Sequence, residues 1–177
     1  MRGHAKGRRY DQEFRSIYKL WCRDYFSSSV FITSTNYTQA AGSTVVNGAL
    51  AATGGAIVNI QSGTLGGTGT INGSVMMAGT LKPGDAPGTL TIFGNYEQTS
   101  TGTSDELLSP SSHSLLDVNG KAVLEHGTGL EIALLNGFNP IDQTFDIMNY
   151  SSLSGVFRLK PSSSLRSAAA RHQLSQW

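Results

Sequence analysis

Between residues 30 and 157 apolar side chains come singly or in short runs, with small and polar residues spaced closely between them. Thr44-Val45-Val46, Ala56-Ile57-Val58-Asn59-Ile60, Thr70-Ile71, Thr89-Leu90-Thr91-Ile92 and Leu130-Glu131-Ile132-Ala133-Leu134 are β-branched or alternate apolar with polar. A period of two over so few residues predicts short, half-buried strands. Asn-Gly at 47–48, 72–73, 119–120 and 136–137 supplies tight turns, because both residues tolerate positive φ. No helical period is sustained anywhere in this stretch.

The segments resemble one another. Asn36-Tyr37-Thr38-Gln39 returns as Asn95-Tyr96-Glu97-Gln98, and Gly-Thr-Leu stands at 63–65, 79–81 and 88–90, with Gly-Thr-Ile at 69–71. The intervals are irregular, so the repeat is degenerate. Many short strands with frequent turns suit a sandwich, a barrel or a solenoid. Strands this short, their likeness to one another, and single aliphatics among Gly, Ala, Ser and Thr favour the solenoid, whose narrow core takes one or two side chains per turn. At ~20 residues per turn, the lower end of known structural repeats, the stretch makes about six rungs with both ends open.

Charge and composition divide the chain into three. Residues 1–29 carry a net +4, residues 30–157 a net −7 and residues 158–177 a net +4, which sum to the +1 of the whole. All 16 threonines and 19 of the 21 glycines lie in the middle piece. The expected organisation is therefore a basic N-terminal extension (1–29), a β-solenoid repeat domain (30–157) and a basic Ser/Ala-rich disordered tail (158–177). In the first piece Tyr10, Phe14, Ile17, Tyr18, Trp21 and Phe26 recur at spacings of three or four, which suits a short basic amphipathic helix or a loosely docked extension. It lacks the apolar h-region of a secretory signal. No apolar run approaches the ~20 residues of a membrane helix. A net charge of +1 argues against nucleic acid as a partner.

The runs Tyr37 to Thr44, Gly63 to Val75, Ala78 to Ile92 and Gly94 to Thr99 resemble the β-strand repeats of bacterial autotransporter passengers and related large secreted surface proteins. Leu116 to Gly120, Leu130 to Phe138, Thr144 to Ser152 and Gly155 to Phe157 resemble the segment that follows those repeats. The likeness covers about 36–157. It implies an all-β, right-handed parallel β-helix displayed outside the cell, often as an adhesin-like stalk, with poorly ordered or weakly helical termini outside the repeat. No catalytic residues travel with it. Such proteins are usually long, begin with a signal sequence and end in a membrane barrel or other anchor. None of these is read here, so a fragment of a larger passenger is the expectation.

Individual residues add little chemistry. Cys22 is alone, without a disulfide or CxxC partner. His4, His113, His126 and His172 are isolated and show no zinc spacing. Gly66-Gly67-Thr68-Gly69-Thr70-Ile71 half-matches the calcium nonapeptide, but Ile71 stands where the carboxylate belongs. The same glycines half-match GxGxxG with Asn72 in place of the third, so they are expected to be turn glycines. Asp85 sits in a Gly-Asp-Ala-Pro turn. Asp105 and Glu106 are adjacent, with Lys82 and Lys121 the basic residues of the repeat region. Thr68/Thr70, Thr89/Thr91 and Thr101/Thr103 form Thr-x-Thr pairs, which read first as β-propensity on a solvent face and second as a flat ladder for ice or sugar.

No catalytic, cofactor-binding or metal-binding residue is assigned and no cofactor is expected. The expected role is a non-enzymatic structural or adhesin-like segment of a secreted or cell-surface β-repeat protein, with a surface protein or carbohydrate as its possible ligand and the solenoid continuing in a parent protein. Two alternatives are a carbohydrate-active β-helix enzyme, which needs carboxylates and basic residues gathered on one face, and a truncated open reading frame without independent function.

Overall fold

The computed structural model describes residues 17–19, 23–26, 30–84 and 87–160. These residues contain strands and turns and no helix. The chain winds through three sheets in strict rotation. The first rung is β1 (Ile17–Lys19), β2 (Arg23–Phe26) and β3 (Val30–Thr33); the second is β4 (Tyr37–Gln39), β5 (Ser43–Val46) and β6 (Ala49–Ala52). The third is β7 (Ile57–Ile60), β8 (Thr64–Gly67) and β9 (Thr70–Asn72), and the fourth β10 (Ser74–Met77), β11 (Thr80–Pro83) and β12 (Thr89–Phe93). The fifth is β13 (Tyr96–Gln98), β14 (Thr103–Leu108) and β15 (Leu115–Val118), and the sixth β16 (Lys121–Leu124), β17 (Gly129–Leu134) and β18 (Met148–Asn149). A seventh turn contributes β19 (Ser152–Ser154) and β20 (Arg158–Leu159).

Each strand pairs parallel with its counterparts one rung before and one rung after, giving sheets of 7, 7 and 6 strands. This is a parallel β-helix. Parallel pairing cannot be made by hairpins, so every ladder joins residues a whole rung apart. Along the first sheet Ile17, Tyr37, Val58, Val75, Tyr96, Ala122 and Leu153 stack in register. The expected unit of ~20 residues holds for the early rungs. Later rungs are longer, and the extra chain enters mainly at one corner, between the second and third sheets. There the connections are residues 47–48, 68–69, 84–88, 109–114 and 135–147 in successive rungs.

The core is a column. Val46, Leu50, Val58, Ile60, Leu65, Ile71, Val75, Met77, Leu81, Leu90, Ile92 and Leu116 all point inward and are buried. Rungs stack ~4.8 Å apart, so inward side chains of equal register touch directly. The corners are tied by asparagine. Asn36 Oδ1 accepts the Ile57 amide, Asn47 Oδ1 that of Thr68 and Asn95 Oδ1 that of Lys121, each at 3.0 Å and each one rung ahead. Glycine is demanded where the backbones approach most closely. Gly67 has φ +112°, and a Cβ there would lie 2.1 Å from the Val46 carbonyl oxygen.

Ile17, Tyr18 and Phe26, whose spacing suited a short helix or a loosely docked extension, lie in β1 and β2, strands paired with β4 and β5. Aromatic and β-branched residues favour a pleated surface, and neighbouring rungs provide one that an isolated helix lacks. The remainder of 1–29 and the tail beyond Lys160 lie outside the described residues. At the other end the pairing continues past Phe157, because β20 pairs with β17. Leu81-Lys82-Pro83 of β11 returns as Leu159-Lys160-Pro161, with Leu159 at the register position of Leu81.

Candidate functional site

The repeat Asn-Tyr-x-Gln places the same polar group inside two rungs. In the second rung Tyr37 Oη lies 2.7 Å from Thr44 Oγ1, and Thr44 Oγ1 donates to Gln39 Oε1 at 2.6 Å. The Gln39 amide then donates to the carbonyls of Ser62 and Thr64 in the next rung, at 2.8 and 3.2 Å. In the fifth rung Tyr96 Oη donates to Gln98 Oε1 at 2.7 Å and Gln98 Nε2 to the Gly129 carbonyl at 3.1 Å. The hydroxyl at the Thr44 position is Ser104. It turns away from the glutamine and donates to Glu106 Oε1 at 2.6 Å.

Glu106 is the unusual member. Strand alternation from Ser104 through Leu108 points it inward, at the place Val46 fills in the second rung. It is 1% exposed, and among the described residues its Oε2 has no hydrogen-bond partner. Burial pushes its carboxyl up to about 7; the Ser104 hydrogen bond opposes that and the nearby Asp105 charge adds to it. Burial, with the Glu106 charge behind it, also raises the Tyr96 hydroxyl well above its ordinary value. Burial without a cation beside it favours the neutral form of a carboxyl.

Asp105 points outward and meets Lys82 Nζ at 2.6 Å, so the adjacent pair is split between the core and the surface. Glu131 is the strand neighbour of Asp105, and Lys160 Nζ donates to Thr103 Oγ1 at 2.5 Å. These residues gather carboxylates and amines on the second sheet of rungs four to seven. Lys121 begins β16, in the first sheet.

The widened corner carries a second group. His113 packs edge-on against Phe145 with centroids 5.5 Å apart, Phe145 packs likewise on Phe138 at 5.9 Å, and the His113 ring lies 3.1 Å from the Asp146 carbonyl. This stack joins the 109–114 loop to the 135–147 loop, leaving Ile141 exposed.

The remaining candidates scatter. Cys22, His4, His172 and Asp85 lie outside the described residues. His126 stands in the turn between β16 and β17. Gly66 and Gly67 are strand residues pressed against the neighbouring rungs, and Gly69 donates its amide to the Val46 carbonyl at 2.7 Å. The Thr-x-Thr pairs divide: Thr70 and Thr91 are neighbours in the third sheet, Thr103 is in the second, and Thr68 and Thr101 are in corners. Among the described residues no group of three or more His, Cys, Asp or Glu is placed to hold a metal ion. The buried role of Glu106 went unrecognised in the sequence; alternation counted back from Leu108 is the signal that finds it. Comparison with protein-family models, with curated proteins and with solved structures finds no match to this chain.

Proposed function

We propose that this chain is a non-enzymatic structural segment of a secreted or cell-surface β-repeat protein of the autotransporter-passenger kind, a rod whose continuation belongs to a larger parent. The observation that carries the reading is the coincidence of sequence repeat and stacking. Tyr37 and Tyr96, and Gln39 and Gln98, occupy equal register positions three rungs apart. A repeat that maps onto register builds a rod by nearest-neighbour contacts and asks nothing of catalysis. The widened corner with Phe138, Ile141 and Phe145 is the natural place for an adhesin-like contact with a surface protein or carbohydrate, because loops on a rigid scaffold are free to vary.

Labelling intact cells that carry the locus with an antibody against residues 30–157, before and after external protease, tests the reading. Surface signal removed by protease is expected. Signal that appears only after lysis overturns it. The gathering of Asp105, Glu131 and Lys82 on one face favours a carbohydrate-active enzyme as the second reading. Release of new reducing ends from a polysaccharide panel, lost in Asp105→Asn and Glu131→Gln, would establish that instead.

A further inference from the structure

The fifth rung contains a group that the rod does not need for its shape. Val46 fills the equivalent place in the second rung, and Gly67 and Pro83 fill it in the third and fourth. None of them titrates. Glu106 therefore brings an ionisable carboxyl into a column of otherwise neutral side chains, and among the described residues it is the one buried side chain of charged type.

Among the described residues no cation pairs with it: Lys160 Nζ is bound to Thr103 Oγ1 near the start of its strand, and His113 bridges Leu108 at the end. On β13 Tyr96 faces inward, its hydroxyl committed to Gln98, while Glu97 points outward. On β11 Lys82 points outward and is paired with Asp105, the neighbour of Glu106 on its own strand. On β17 the residue opposite Glu106 is Ile132, with Glu131 on the outer face. On β15 Asp117 lies outward between buried Leu116 and Val118. Among the described residues Ser104 alone donates to the carboxyl, the other oxygen has no partner, and leaving a buried charge so poorly compensated costs more than leaving the neutral acid.

We propose that the fifth rung is an acid-tightened joint: the core closes around the protonated Glu106 carboxyl, and its ionisation loosens the seams that β14 shares with β11 and β17, so that the rod opens there first. In a solenoid each rung is held only by its neighbours, so a weakened seam opens locally rather than unfolding the whole. The sign follows from proton affinity. The closed core holds the proton up to about pH 7, whereas an opened strand has the ordinary carboxylate value of 4.5. Raising the pH across that interval favours the opened form about tenfold per unit, and the effect levels off above it.

Hydrogen exchange read by mass spectrometry on the full chain between pH 5 and 7.5, corrected for the chemical exchange rate, tests this. The opening constant of amides in 103–108 and 129–134 is expected to rise roughly fifty-fold across that range. Residues 43–67, where Val46 takes the place of Glu106, are expected to stay level. Glu106→Gln and Glu106→Leu are each expected to abolish the pH dependence; the leucine variant guards against the buried amide of the glutamine disturbing the fold. A flat profile in the natural chain, an equal rise in 43–67, or a slope that survives in both variants overturns the proposal.

Discussion

Gly67→Ala is the sharpest probe of how closely these rungs are pressed together. The added Cβ would lie 2.1 Å from the Val46 carbonyl oxygen and 2.6 Å from the Val46 carbonyl carbon and nitrogen. Carbon and oxygen in contact sit at ~3.3 Å or more, so β5 and β8 would have to part by about an ångström. The oxygen in the way also accepts the Gly69 amide at 2.7 Å, and parting the strands breaks that bond. Three costs combine: about 1–2 kcal/mol for an alanine at φ +112°, about 1 kcal/mol for the hydrogen bond and about 1–3 kcal/mol for overpacking. The expected loss is therefore about 3–6 kcal/mol. Gly54→Ala is the control, because Gly54 also has positive φ (+66°) but nothing within 4 Å of its Cβ position. It should lose only the backbone contribution of about 1–2 kcal/mol. Urea unfolding followed by far-ultraviolet circular dichroism measures both. Equal losses in the two variants would refute the claim that inter-rung contact, rather than backbone conformation, dictates the glycine at 67.

Further outcomes are expected of other positions. Tyr96→Phe leaves Gln98 Oε1 without its donor inside the core and should cost about 1–3 kcal/mol in the same unfolding assay. Leu81→Ala removes a fully buried side chain from the middle of the column and should cost about 2–5 kcal/mol, with the midpoint lowered and the m-value retained. Lys82→Ala removes a pair whose lysine is half exposed, so stability should change by less than about 1 kcal/mol and the change should shrink in high salt.

The repeat class was legible because each rung needs the same few things: a small corner residue, an outward polar or β-branched residue and an inward aliphatic. The same economy hid the register. Gly63-Thr-Leu65 and Gly79-Thr-Leu81 do stack, since Thr64 pairs with Thr80. Gly88-Thr-Leu90 belongs to the third sheet, where Thr91, not Thr89, pairs with the Thr70 of Gly69-Thr-Ile71. One tripeptide serves two sheets, so its spacing along the chain reports no single period. Rung length was hidden for a different reason. The residues 109–114 and 135–147 add chain at a corner without changing any strand, and irregular loops leave no periodic trace. β1 and β2 lie before residue 30, where charge and threonine change, since strand pairing tolerates basic residues on an edge. Glu106 was hidden by its neighbour, since two adjacent acids look like surface until strand alternation separates them.

Strict rotation through three sheets also constrains how the chain reaches this state during synthesis. A strand such as β7 can pair backward with β4 as soon as it appears, but its forward partner β10 begins at Ser74, after β8 and β9 have passed. The sheet ladders close only over intervals of a full turn, the antiparallel bridge between Leu108 and His113 being a local closure within one corner, so the loop entropy of each turn is spent before its ladder forms. Once one turn stands, it offers the next a ready template. The chain is thus suited to growth from a single nucleus toward its C-terminus, one turn at a time, at the rate the polypeptide is delivered. A chain released all at once has no such order and can start from any turn.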